Sequence, residues 1–161
     1  MVDARLSATL SSSASRSANF SQTPTDLKAM LFEVLVITLT VTSADRTNSD
    51  ETYDVYITTS DGVSTWDIVH FPQVATTGAK TFTARPLRAS LPQNITSATP
   101  GVAANDPGTL RTDTAGSNNG IRTLAAGLVR NGAWGNLIGH ELVVAGTTPG
   151  PFVYQIDIQG A

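Results

Sequence analysis

Residues 37–42 read Ile-Thr-Leu-Thr-Val-Thr, and residues 152–159 alternate Phe152, Tyr154, Ile156 and Ile158 with Val153, Gln155, Asp157 and Gln159. A period of two puts one set of side chains on each face of an extended chain, so these stretches read as strands with an apolar face and a polar face. Threonine on the polar face suits the pleat, because its branched side chain is stiff there. The same pattern continues with Tyr53, Val55 and Ile57 against Thr52, Asp54 and Thr58. Ser60-Asp61-Gly62 follows as a hairpin signal, with glycine supplying the positive φ of the turn. Further strands are expected over residues 63–71, stopped by Pro72, over 80–85 after a turn at Gly78, and over 137–145. A shorter extended piece is expected near 91–96. Residues 31–36 are apolar on both faces apart from Glu33, which reads as burial within the domain, the other reading being contact with another chain.

Two regions do not alternate. Residues 97–120 hold Pro100-Gly101, Asp106-Pro107-Gly108 and Ser117-Asn118-Asn119-Gly120, and read as a long irregular loop. Residues 121–129 fit either a short helix or a buried strand, and the surrounding pattern favours the strand. Seven or eight short strands separated by turns argue for an all-β fold, an antiparallel β-sandwich of Ig-like or jelly-roll type.

Residues 1–28 are different in kind. They are rich in Ser and Ala, with Leu6, Leu10 and Phe20 as the main large apolar side chains, and Pro24 closes the segment. So little apolar surface cannot offset the entropy of ordering the segment alone. The expected organisation is an extended N-terminal arm over 1–28 and a sandwich domain over 29–161, the arm either frayed or ordered against a neighbour.

Charged residues make up 14% of the chain against roughly 25% in average proteins, and the net charge is -3. So little charge fits a surface that ends against other subunits. The ten basic residues are scattered, so no electrostatic footprint for nucleic acid and no polybasic membrane patch is expected. There is no cysteine, which excludes disulfides, thiolate chemistry and cysteine-based zinc sites. No apolar core of a signal peptide is read near the N-terminus, and Asn94-Ile95-Thr96, a glycosylation sequon in form, has no secretory context.

Candidate chemistry is sparse. His70 and His140 are the two imidazoles. His70 alternates in phase with Trp66 and Ile68 and reads as a strand-end side chain at the rim; His140 is in phase with Leu142 and Val144. A hydrolase built on His140 and Glu141 is disfavoured because adjacent strand residues point to opposite faces. Asp54 and Asp67 are placed across the Ser60-Asp61-Gly62 hairpin, as like-charged neighbours on a solvated face rather than as paired acids in a cleft. Asp45, Asn48, Asp50 and Glu51 crowd one turn with oxygen ligands, but without the spacing of a calcium loop, and read as a polar turn. The expectation is no catalytic residue, no metal and no cofactor. Tyr56, on the face opposite Tyr53, and Trp134, within Asn131-Gly132-Ala133-Trp134-Gly135, are the candidate exposed aromatic platforms for a ligand.

A Ser/Ala-rich arm before a Thr-rich, Cys-free β-sandwich of low charge resembles the small virion structural proteins of tailed bacteriophages, particularly capsid decoration (cement) proteins. The resemblance covers most of the chain in style and is strongest over residues 50–87 and 135–158. It implies a non-enzymatic protein of the virion, assembled in the host cytoplasm. Such a protein is a homotrimer seated on the outer surface of an expanded phage head, which it stabilises. Its partner would be the major capsid protein or another virion protein, with no nucleic acid and no membrane. The arm would then lie along a neighbouring subunit or add a strand to it, with Leu6, Leu10 and Phe20 as apolar anchors and Arg5 and Arg16 paired with acidic capsid groups. The alternative is a carbohydrate-binding module, or a fibre or tail component that binds a surface glycan through Tyr56 or Trp134.

Overall fold

The computed structural model describes residues 5–46, 48–63, 65–88, 124, 126–130 and 134–161. The extended piece at 91–96 with its sequon, the loop at 97–120, and residues 2–4 of the arm lie outside the described residues, as do most of 121–125 and all of 131–133. Ten strands are formed: β1 (Leu6–Arg16), β2 (Phe20–Ser21), β3 (Thr25–Asp26), β4 (Leu35–Ala44), β5 (Thr52–Ser60), β6 (Thr65–His70), β7 (Lys80–Ala84), β8 (Leu128–Val129), β9 (Leu137–Ala145) and β10 (Phe152–Gly160). Among the described residues the one helical element is a 3-10 turn at Ala29–Leu31.

The strands make two packed antiparallel sheets. Sheet I runs β1-β10-β4-β7, and sheet II runs β2-β9-β5-β6-β8, with β3 continuing beside β9 after β2. If β2 and β3 are taken as one interrupted strand, the pairs are first with last, second with next-to-last, and inward to the β5–β6 hairpin. That is the connectivity of a jelly roll. Alternation along single strands left Ig-like and jelly-roll sandwiches open; the strand order decides for the jelly roll.

The core lies between the apolar faces that the alternation marks. Leu35, Ile37, Leu39 and Val41 of β4 and Phe152, Tyr154, Ile156 and Ile158 of β10 meet Tyr53, Val55 and Ile57 of β5 and Ile138 and Leu142 of β9. Each such side chain removed from water contributes about 1.5–3 kcal/mol. Tyr53 and Phe152 stack across the sheets at 4.5 Å, and the one proton of the Tyr53 hydroxyl lies between the carbonyls of Asp45 (2.6 Å) and Gly150 (3.0 Å). At the β5–β6 turn Gly62 takes φ +94°, its amide donating to Ser60 Oγ at 3.0 Å.

Of residues 121–129, read as a strand, Leu128–Val129 form one on β6, and 121–123 and 125 lie outside the described residues. Two segments differ from the sequence reading. The apolar run at 31–36 is not buried on both sides: Leu35 is buried, but Leu31 is 70% exposed. The second is the N-terminal segment. It is extended, and over Leu6–Arg16 it is β1 of sheet I, paired with β10 from Leu6↔Gly160 to Arg16↔Phe152. Its neighbour is the chain's own sheet. Apolar burial alone would not order this segment; β1 is ordered by a ladder along β10, which β4 pairs only on its other side.

Candidate functional site

β1 forms one boundary of sheet I. It is 11 residues long and carries no charged side chain before Arg16 at its end. Its register along β10 shifts between Thr9 and Ser11 and again between Ser11 and Ala14. Among the described residues no strand pairs its other edge. Sheet II is bounded differently, by the two-residue strands β2 and β3 on one side and β8 on the other. A long uncharged edge is a template for another strand; short strands, charged side chains and bulges are the usual protections, of which β1 has only its two register shifts.

The five arm residues occupy distinct places. Arg5 is exposed just before β1, and Leu6 is half-buried against the core. Leu10 is buried in the core itself. Arg16 and Phe20 are brought together where the chain crosses from sheet I to sheet II. The Arg16 guanidinium lies over the Phe20 ring at 4.1 Å and over the Tyr154 ring at 4.9 Å. Arg16 is therefore turned onto the aromatic rings of its own seam rather than outward toward an acidic partner. Leu10, Arg16 and Phe20 anchor β1 to its own sandwich, a use that residue type alone could not distinguish from contact with a neighbour.

His140 sits under this seam. Its Nδ1 lies 2.6 Å from Gln22 Oε1 and its Nε2 3.0 Å from the Tyr154 hydroxyl. One neutral tautomer satisfies both contacts: Nδ1–H donates to Gln22, and Nε2 accepts from Tyr154. Burial, with a smaller contribution from the Arg16 charge, lowers the His140 pKa to about 4. Burial also pushes the Tyr154 hydroxyl up to about 12, so it remains a donor.

The outer face of sheet II carries the second group of polar side chains. Tyr56 pairs with His70 on β6 and with Glu141 on β9, which places the three in one transverse row. His70 was expected in phase with Trp66 and Ile68; it is not. Ile57 pairs with Val69 and Thr58 with Asp67, so Ile68 is an extra residue in β6. This bulge reverses the phase of the strand and turns His70 outward. There Nε2 lies 2.8 Å from Asp54 Oδ1 and Nδ1 lies 2.8 Å from the Leu124 carbonyl oxygen. Gln73 Nε2 donates to the other oxygen of Asp54 at 2.8 Å.

The remaining candidates are also placed. Asp54 and Asp67 do not face each other: Asp67 opposes Thr58 and is only 1% exposed, so it is on no solvated face. Tyr56 does lie opposite Tyr53, yet it is buried and stacks on His70 at 3.9 Å. Trp134 is 2% exposed, and its Nε1 donates to the Ala29 carbonyl at 2.8 Å. Neither aromatic is an exposed platform, because the second face of sheet II is covered and the Trp134 ring is drawn beneath the turn at Ala29. In the acidic turn, Asp50 Oδ2 accepts from the Thr147 hydroxyl at 2.7 Å, which holds its carboxyl below the usual range. Among the described residues no three His, Cys, Asp or Glu side chains are gathered to hold a metal ion.

A general base needs a ring nitrogen within reach of a substrate. At both histidines each ring nitrogen is already engaged by the protein. Comparison with known protein families, characterised proteins and solved structures finds no match to this chain.

Proposed function

We propose that this protein is a non-enzymatic structural protein that works by binding other protein subunits, and that it acts as a capsid decoration protein on the outer surface of a phage head. The observation that carries the reading is β1, an 11-residue strand with one edge paired to β10 and an uncharged second edge. A strand added there gains main-chain hydrogen bonds along its length, and several copies bound together multiply weak contacts into stable adhesion. The jelly roll is compatible with this role, since capsid domains use it, but it serves lectins and cupins as well, and the β1 edge is what supports the reading. The glycan-binding alternative loses its two named aromatic platforms, which are buried.

The test is native mass by light scattering together with co-sedimentation on purified heads of tailed phages. The wild-type chain is compared with Ser7→Lys and Ser13→Lys, both at exposed positions of β1. The reading expects a homotrimer or particle binding in the wild type, and loss of one or both in the variants at an unchanged unfolding midpoint. A wild-type monomer that sediments with no head would sink it.

A further inference from the structure

The sandwich has two seams between its sheets, and they are built differently. On one side β1 passes directly into β2, and Arg16, Phe20, Tyr154 and His140 fill the gap. On the other side β7 ends sheet I beside β6 of sheet II, and a cavity of about 180 Å³ opens between them. It is lined by Val69, Phe71, Pro72, Phe82 and Ala84, with His70 at one side. Phe71 and Phe82 approach across the seam at 6.5 Å without closing it. An apolar cavity of roughly 150 Å³ accommodates a benzene ring, so this one has room for a single leucine or phenylalanine side chain.

Among the described residues the strand beside the cavity is paired on one side only. β7 pairs with β4 through Ile37↔Ala84 to Val41↔Lys80, and among the described residues nothing pairs its other edge. Its charge is one-sided. Residues 68–88 contain Lys80, Arg85 and Arg88 and no acidic residue, in a chain whose net charge is -3. Lys80 sits at the start of β7, its ammonium on the carbonyls of Thr76 and Thr77, and Arg85 is exposed just past its end. Asp54, on the outer face of sheet II, is engaged by His70 and Gln73, and Glu33 meets the Arg88 end of this segment through its backbone carbonyl.

We infer that the β7 edge and the cavity beside it form a second protein-binding site, which takes an extended peptide strand with one apolar anchor residue and acidic residues at its ends. The strand pairs along β7, the anchor enters between Phe71 and Phe82, and the acidic ends meet Lys80 and Arg85. The open edge supplies main-chain recognition, the cavity supplies the anchor pocket, and the local excess of cations selects the charge of the partner. This site is separate from β1, so its test can succeed or fail independently of the decoration reading.

The experiment uses the full chain and a dye-labelled nine-residue peptide of alternating threonine and valine, with a central leucine and a glutamate at each end. Binding is followed by fluorescence anisotropy. The expected result is saturable binding that weakens about tenfold when the central leucine is replaced by serine, and by a similar factor when the end glutamates are replaced by lysine. Ala84→Leu, which fills the cavity, is expected to weaken binding about tenfold. Because that variant could disturb folding, the Lys80→Gln/Arg85→Gln pair, outside the core, is measured beside it and is expected to remove the preference for acidic ends. The proposal is overturned by no binding at millimolar peptide. Equal binding of the leucine and serine peptides, or of the two end-charge peptides, overturns it as well. So does a concentration-dependent dimer that competes with the peptide, since the occupant would then be a second copy of the chain.

Discussion

The Nε2 of His140 lies 3.0 Å from the hydroxyl of Tyr154, and this contact ties β9 of one sheet to β10 of the other inside the sandwich. The two rings meet edge to face at 5.8 Å, and the Phe20 ring closes the group from β2 at 5.4 Å from His140. Burial keeps the imidazole uncharged by lowering the His140 pKa from 6.5 to about 4, and in that form Nε2 accepts from the Tyr154 hydroxyl.

That shift makes stability depend on pH. The unfolded chain takes up the His140 proton near 6.5, well before the folded chain does near 4. The contribution is therefore whole above the unfolded value and is lost as the pH falls from 6.5 toward about 4. The loss is about 3 kcal/mol over that window. Urea unfolding of wild type and His140→Phe from about pH 7.5 down to about pH 4 should show the wild type falling more steeply. Parallel curves for the two proteins would show that the imidazole takes up its proton in the folded chain as readily as in the unfolded one.

Glu51 is 0% exposed, and no described group hydrogen-bonds either carboxylate oxygen. A buried acid without a partner costs stability in whichever form it takes. Glu51→Met, of similar volume, is expected to raise the unfolding free energy by about 1–3 kcal/mol. A lower midpoint in the variant would mean that the carboxylate has a partner in solution.

His70 joins β6 to β5 through Asp54 and to the segment that leads into β8 through the Leu124 carbonyl. His70→Phe keeps a ring against Tyr56 and removes both polar contacts. It is expected to cost about 2 kcal/mol and to speed amide exchange at Gly127 and Arg130, which donate to the carbonyls of His70 and Ile68. Unchanged exchange at those two amides would show that the segment is held by its backbone alone.

Gly135 is positioned by contact rather than by backbone angle. A Cβ built there would sit 1.8 Å from the Ser60 carbonyl oxygen, while its amide donates to Thr59 Oγ1 at 2.9 Å. Gly135→Ala must push the β5–β6 turn away from β9, with an expected loss of about 2–4 kcal/mol. A midpoint within error of wild type would show that the turn yields freely.

The alternation around Ile37–Thr42 and Phe152–Gln159 determined β4 and β10, and with them the apolar faces of the core, because a period of two needs no knowledge of the partner strand. The hairpin at Gly62 and the burial of His140 were legible for the same local reason. Four features were decided only by tertiary structure. The bulge at Ile68 turned His70 outward, and nothing in a single strand marks an extra residue against its neighbour. The covering of the outer face of sheet II buried Tyr56 and Asp67, which alternation alone places on a polar face. The ladder along β10 made residues 6–16 a strand although their side chains bury little, since backbone hydrogen bonds carry no residue signature. The strand order separated jelly roll from Ig-like sandwich, because topology is a property of which edges meet, and each strand's own sequence specifies its faces far more strongly than its edges.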